Sequence, residues 1–182
     1  TTVGYEKLLV NLLSRAKYLA DQGDTLFATP ALHFFLYNHI DKEAFVDNAE
    51  PLQHYKMLDD SDIWASVKAW TTHRDPILSL LSRNLIDRRI FKVEVRSTAV
   101  EEAEVMDIRH QIAQRYGLSF DDTAYLVNVS TIRKDMYDIH DDHISILYKD
   151  GTIKDITEAS EILNISLLSK KICKYYLCYQ RF

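Results

Sequence analysis

The stretch from His73 to Val95, HRDPILSLLSRNLIDRRIFKVEV, is where the chain changes its grammar. Asp75 stands before Pro76, an N-cap followed by the residue best suited to a first helical position. Ile77, Leu78, Leu81 and Leu85 then recur at helical spacing, so they predict one buried helix face. From Arg89 onward the pattern turns. IFKVEV sets Ile90, Val93 and Val95 among polar residues, which predicts a strand. Helix before this stretch and strand after it define the class.

Upstream, every strong signal is helical. Tyr5, Leu8, Leu9, Leu12, Leu13, Ala16 and Leu19 fall on one helical stripe over residues 2 to 21, and Gly23 follows as a stop. In ATPALHFFLYN, Thr29 precedes Pro30 at the start of a short apolar helix. A third helix is expected at DDSDIWASVKAW, capped by Asp59, Asp60 or Ser61, with Ile63, Trp64, Val67 and Trp70 along one face.

Downstream, strands alternate with helices. TAVEEAEVMDIRHQIAQRYG reads as a helix with Glu101, Glu102 and Glu104 at its positive end, a stripe of Val105, Ile108, Ile112 and Tyr116, and Gly117 as its stop. TAYLVNVST reads as a strand. ISILYKDGTIKDI reads as a hairpin turning on Asp150-Gly151. A short helix is expected at TEASEIL and a final strand at ICKYYLCY. The whole is an α+β fold: a helical N-terminal half, then a mostly antiparallel sheet with interleaved helices.

Composition narrows the function classes. The 182 residues are 47% hydrophobic and 27% charged, ordinary for a globular chain. No apolar run approaches the roughly 20 residues that span a bilayer. Thr1 opens the chain where an initiator methionine would stand, so a fragment of something longer is expected. A net charge of −5 disfavours broad nucleic-acid binding. Cys173 and Cys178 have odd spacing, which puts them on opposite faces of a strand and unable to bridge. A reducing cytoplasm follows as the simplest expectation. Only 4 glycines occur, against roughly 13 at average usage. Glycine-rich phosphate cradles are therefore absent, and any anion must be held by side chains or helix ends.

One loop tempts a metal reading. MYDIHDDHISILYKDG holds His140-Asp141, His143, Asp138 and Asp142, all suitable donors. They come from a single contiguous run, whereas a hydrolytic metal site gathers ligands from several elements and leaves positions open. The favoured reading is a solvated loop before an edge strand, with no metal site; a small metal enzyme centred on 138–143 is the alternative. Asp59, Asp60 and Asp62 lack the following glycine and distal glutamate of a calcium loop, so capping explains them. Ser14, Ser66 and Ser79 have no histidine partner in a nucleophilic arrangement.

Several segments, in order, carry a family resemblance: TTVGYEKLLVNLLSRA, YKMLDDSDIWASVKAW, LSRNLIDRRIFKVEV, AYLVNVSTIR and HISILYKDGTIKDI. Together they resemble the C-terminal half of HD-domain phosphohydrolases, in particular deoxynucleoside triphosphate triphosphohydrolases and their bacterial relatives. The resemblance implies that residues 1–22 are the last helix of an HD-type core. Residues 23–182 would form an accessory lobe, helical over 23–88 and α/β over 89–182. The divalent metal and its histidine and aspartate ligands would lie upstream, leaving this segment without a cofactor and inactive alone. Its implied partners are the upstream HD catalytic domain, further copies of itself and a nucleotide effector, with no membrane.

The same resemblance implies that Arg88, Lys92 and Lys149 contact the phosphates of that effector. In a strand beginning near Arg88, the first two would share a face. Arginine suits bidentate phosphate contact and lysine adds a mobile charge. Arg89 departs from the family pattern, which has a neutral polar residue there. The plain alternative is that these are solvated cations, with Arg88 paired to Asp87 or Glu94. A second function class also stays open. Tyr175, Tyr176 and Tyr179 in the last strand suit an interaction module that pairs through a sheet edge.

Overall fold

The computed structural model describes residues 2–134, 145–155 and 172–182. The chain forms an α+β fold, with helices first and an antiparallel sheet with interleaved helices after them. Contacts divide it into two compact units. The first takes residues 1–94, 100–129 and 177–182; the second takes 95–99 and 130–176. The polar loop at 138–143 and the helix expected at TEASEIL lie outside the described residues.

In the first unit, α1 (Thr2–Asp21) packs mainly on α6 (Pro76–Ile86), and also on α2 (Pro30–Tyr37). Leu8, Leu12, Ile77, Leu78 and Leu81 are fully buried, which is the stripe both helices carry in sequence. Gly4 sits where α1 crosses the approach to β1 (Lys92–Arg96). A Cβ there would meet the Phe91 carbonyl oxygen at 2.8 Å and a Val93 methyl at 2.9 Å. Lys17 donates to the carbonyls of Phe35, Leu36 and Asn38 at 3.2, 2.8 and 2.9 Å. It thereby supplies the orphan acceptors at the end of α2.

A buried ion cluster fixes the other end of α6. Asp75 caps α6 by accepting from the Leu78 amide at 2.7 Å and also grips Arg15 of α1 with both oxygens, at 3.2 and 2.6 Å. Arg15 reaches Asp122 at 2.9 Å and lies against the rings of Tyr18 and Tyr125. Burial pushes the Asp75 carboxyl upward, but the Arg15 and Leu78 hydrogen bonds and nearby positive charge outweigh it. The result is a pKa below the usual carboxylate range.

Two helices precede the third one expected from sequence. They are α3 (Lys42–Asp47), capped by Asp41, and α4 (Ala49–Met57). Then comes α5 (Asp60–Trp70), whose start is a capping box: Asp59 accepts from Ser61 and Asp62 accepts from the Asp59 amide. That is the structural use of the acidic triplet. Trp70 is buried and donates to the Phe27 carbonyl at 2.9 Å.

The helix α7 (Glu102–Tyr116) buries Ile108 and Ile112 and ends on Gly117 in the left-handed region. The strand expected at TAYLVNVST begins late. Asp121–Leu126 form a 3-10 turn, and β2 runs Val127–Lys134. Arg109 enforces that turn by bonding the Phe120 carbonyl at 2.8 Å and Thr123 Oγ1 at 3.0 Å. Tertiary contact overrides strand propensity here.

The strand β5 (Ile172–Tyr179) lies between β1 and β2 in a three-stranded sheet. Its central place removes the sheet-edge pairing suggested for Tyr175, Tyr176 and Tyr179, because both of its sides are taken. In the second unit, β3 (Ser145–Leu147) and β4 (Ile153–Asp155) pair antiparallel, Ile146 opposite Lys154. The hairpin closes over three residues rather than two. Tyr148 N–H bonds the Thr152 carbonyl at 2.8 Å, and Gly151 takes φ 85°.

Candidate functional site

The end of α6 is unusual. Asp87 is its C-cap, and Arg88 follows with φ 57°, the sole non-glycine residue at positive φ among the described residues. Arg88 N–H bonds the Leu85 carbonyl at 3.3 Å, and Arg89 N–H bonds the Asn84 carbonyl at 2.8 Å. This is a Schellman stop, whose left-handed position normally belongs to glycine. A cation near a helix C-terminus is electrostatically favoured. That accounts for the charge of Arg88, not for carrying a long side chain on a left-handed backbone, which costs about 1–2 kcal/mol. Arg88 is therefore outside the strand expected to begin near it. The strand starts at Lys92, and even spacing does not place the two on one face.

Arg88 is exposed and lines three depressions of the first unit. One, about 530 Å³, is bounded by Thr2, Tyr5 and Ile90. A second, about 470 Å³, sets Tyr5, Trp64 and Lys68 around it. The third, about 520 Å³, is rich in arginine: Arg88, Arg89 and Arg181 share it with Asn84, Tyr116 and Gln180. Neither Arg88 nor Arg181 has a carboxylate within 4.0 Å among the described residues, and Arg89 has only Asp87, at 3.9 Å. The alternative in which Arg88 pairs with Asp87 or Glu94 is not seen among the described residues.

Lys92 is occupied. Its ammonium donates to Tyr179 Oη at 2.8 Å and pairs with Glu94 at 2.9 Å, and Tyr179 in turn donates to Glu94 at 2.8 Å. The Tyr179 and Glu94 hydrogen bonds raise its pKa. One of its three N–H donors is left by this triangle. Lys149 lies in the second unit, exposed in the turn between β3 and β4. Beside it Asp150 accepts from the Thr152 amide and hydroxyl at 3.0 and 2.7 Å, which holds its carboxyl below the usual range.

Sequence reasoning named Arg88 and noticed Arg89, but missed Arg181, Asn84 and Gln180. Asn84 looks like a polar break in a helix, and Gln180 lies 96 positions away. Nothing local connects them. Among the described residues, no three His, Cys, Asp or Glu side chains converge as metal donors, and no helix is long and apolar enough to cross a membrane.

No known family profile matches the chain. A crystal structure of a phosphohydrolase from Bacteroides thetaiotaomicron VPI-5482 is similar to it, with a TM-score of 0.87 and 52% identity over 98% of this chain and 44% of that one. The uncharacterized protein YwfO of Bacillus subtilis (strain 168) is 28% identical over 182 residues, 97% of this chain and 39% of that protein. The chain thus spans less than half the length of either relative.

Proposed function

We propose that this chain is the accessory lobe of a metal-dependent, HD-domain phosphohydrolase of the cytoplasm that acts on nucleotides, deoxynucleoside triphosphates above all. The likeness to the Bacteroides phosphohydrolase supports the class. The divalent metal belongs to the catalytic core, and the lobe shapes and regulates that core. In this reading Arg88, Lys92 and Lys149 contact the phosphates of a nucleotide effector. The observation that carries it is Arg88 itself: an exposed guanidinium with no carboxylate within 4.0 Å among the described residues, held in a backbone conformation that costs stability. Strained residues of this kind concentrate at ligand sites. Val46, Tyr55 and Met57 on α3 and α4 are 86, 61 and 73% exposed. That apolar surface suits burial against the catalytic domain or a second copy.

The test is nucleotide hydrolysis by the longer protein containing this segment, measured with each deoxynucleotide as substrate and as added effector. Arg88→Gln is expected to raise the effector concentration for half-activation about tenfold, the effect of one charge-assisted hydrogen bond. An unchanged effector dependence in Arg88→Gln and Lys149→Gln would remove the regulatory role. Metal-dependent turnover by the 182-residue chain alone would remove the accessory one.

A further inference from the structure

Apolar exposure alone leaves the partner of α3 and α4 open; the charge around them is more selective. Residues 41–62 hold seven aspartates and glutamates against two lysines, Lys42 and Lys56, a net charge of −5. That equals the net charge of all 182 residues, so the other 160 carry twenty charges of each sign. Local structure explains where several of these acids stand. Asp41 caps α3 and Asp59 caps α5, while Glu43, Glu50 and Asp60 lie in first turns, where the helix dipole favours them. It does not explain the shortage of cations. Among the described residues, none of these five acids forms an ion pair within 4.0 Å.

The platform beneath them is preformed. The His54 ring of α4 stacks on Phe34 of α2 at 4.1 Å, and Phe45 of α3 meets Phe35 and Tyr55 at 6.5 and 6.1 Å. Asn48 ends α3 and caps α4, accepting from the Glu50 amide at 3.0 Å. On this frame Phe45, Val46, Leu52, Tyr55 and Met57 are exposed. Aromatic and methionine side chains are enriched at interface cores, and methionine adapts to the shape it meets. Charge then decides which occupant fits. A second copy presenting the same face would bring the same acids, and like charges set against each other across a contact are costly. Nucleic acid and anionic lipid are repelled for the same reason. A permanent contact with another domain is depleted of charge at its centre. Here acids stand at the start of α3, at the start of α4 and just past its end.

We propose that α3 and α4 dock a basic amphipathic helix of a separate protein. Its apolar stripe covers Val46, Tyr55 and Met57, and its lysines or arginines meet Glu43, Glu50, Asp59 and Asp60. Helices of this kind bind through apolar anchors at helical spacing. The acids attract such a helix from a distance and make the contact sensitive to salt. Arg88, Lys92 and Lys149 take no part, so this surface and the effector reading are tested by different changes.

Fluorescence anisotropy tests the surface, with a labelled leucine–lysine peptide, amphipathic over about 18 residues or five helical turns. The peptide is titrated with the longer protein that contains this segment. Saturable binding is expected, weakening several-fold as salt rises. The same peptide with glutamate in place of every lysine should bind at least tenfold more weakly. Met57→Ser and Val46→Ser should each weaken binding about tenfold, the loss of one covered apolar side chain. Glu43→Gln combined with Glu50→Gln should weaken it and flatten its salt dependence, whereas Glu102→Gln on α7 should do neither. Circular dichroism of each variant checks the fold, and nucleotide hydrolysis by the same preparation reads the accessory-lobe proposal separately. Absence of saturable binding overturns the docking site. It assigns the face to the longer protein itself or, where sedimentation shows a dimer that Met57→Ser dissolves, to a second copy. Binding that Met57→Ser and Val46→Ser leave intact, that the glutamate peptide matches, or that Glu102→Gln weakens equally overturns it as well.

Discussion

Arg15 of α1 ties three elements by gripping Asp75 at the start of α6 and Asp122 in the 3-10 turn, and the Arg15 and Asp75 side chains are both 9% exposed. Replacing Arg15 with leucine would strand two carboxylates, a loss of about 3–5 kcal/mol when one partner of a buried pair is removed. Urea unfolding of Arg15→Leu at neutral pH measures it. The pH dependence has a definite sign. Asp75 is held below its unfolded pKa, so its contribution is complete above the unfolded value near ~4 and is lost as pH falls through the lower folded value. Stability should therefore decline on acidification below that point. Asp75→Asn should shrink this dependence while keeping the helix cap, since asparagine caps about as well as aspartate. Arg88 gives an opposite kind of prediction. Arg88→Gly removes the left-handed penalty and should raise stability by about 1 kcal/mol, read as an increase in melting temperature. In the proposed effector reading the same change also removes a phosphate contact, so stability and effector binding should move in opposite directions.

At the scale of elements, Gly4 decides how closely α1 approaches the chain entering β1. Glycine-to-alanine inside an exposed helix usually stabilises by roughly 1 kcal/mol. Here the added methyl meets a backbone oxygen at 2.8 Å, and backbone cannot rotate away. Gly4→Ala should instead destabilise by about 1–3 kcal/mol, as overpacking does, measured by denaturant midpoint. The helices with clean stripes, α1, α5, α6 and α7, the middle two also capped by aspartate side chains, were legible in the sequence because local and tertiary forces agree there. The helices α3 and α4 were not. Pro51 lies inside α4, and α3 is a six-residue helix with too few turns to show a period. The 3-10 turn at 121–126 hid behind strand-forming residues, because the force that bends it comes from Arg109, on the preceding helix α7.

For the whole molecule, a phosphate-bearing effector that binds only the folded chain, as proposed above, should stabilise it by mass action. Such an effector at a hundredfold excess over its Kd should stabilise by about 2.7 kcal/mol, visible as a rise in melting temperature that fades with added salt. The fold class was readable from the change of pattern at Arg89, where helical spacing gives way to alternation. The site was readable only in part. Arg88 belongs to a recognisable segment, whereas the hydrogen bonds joining Asn84, Gln180 and Tyr116 exist only once those residues meet, and no periodicity encodes that meeting. Placing Tyr175 and its neighbours at an edge failed for the same reason: strand order follows from long-range pairing, which a linear reading does not contain.

The hydrogen bond that Asn84 Nδ2 donates to Gln180 Oε1, 2.6 Å long, also sets an order in time. During synthesis, Asn84 is made 96 residues before its partner, a gap of about 5–20 s at ordinary elongation rates. Until then the buried amide of Asn84 has no Gln180 to donate to. A nascent chain released before residue 180 would carry the helix but not its tie to the residue that follows β5.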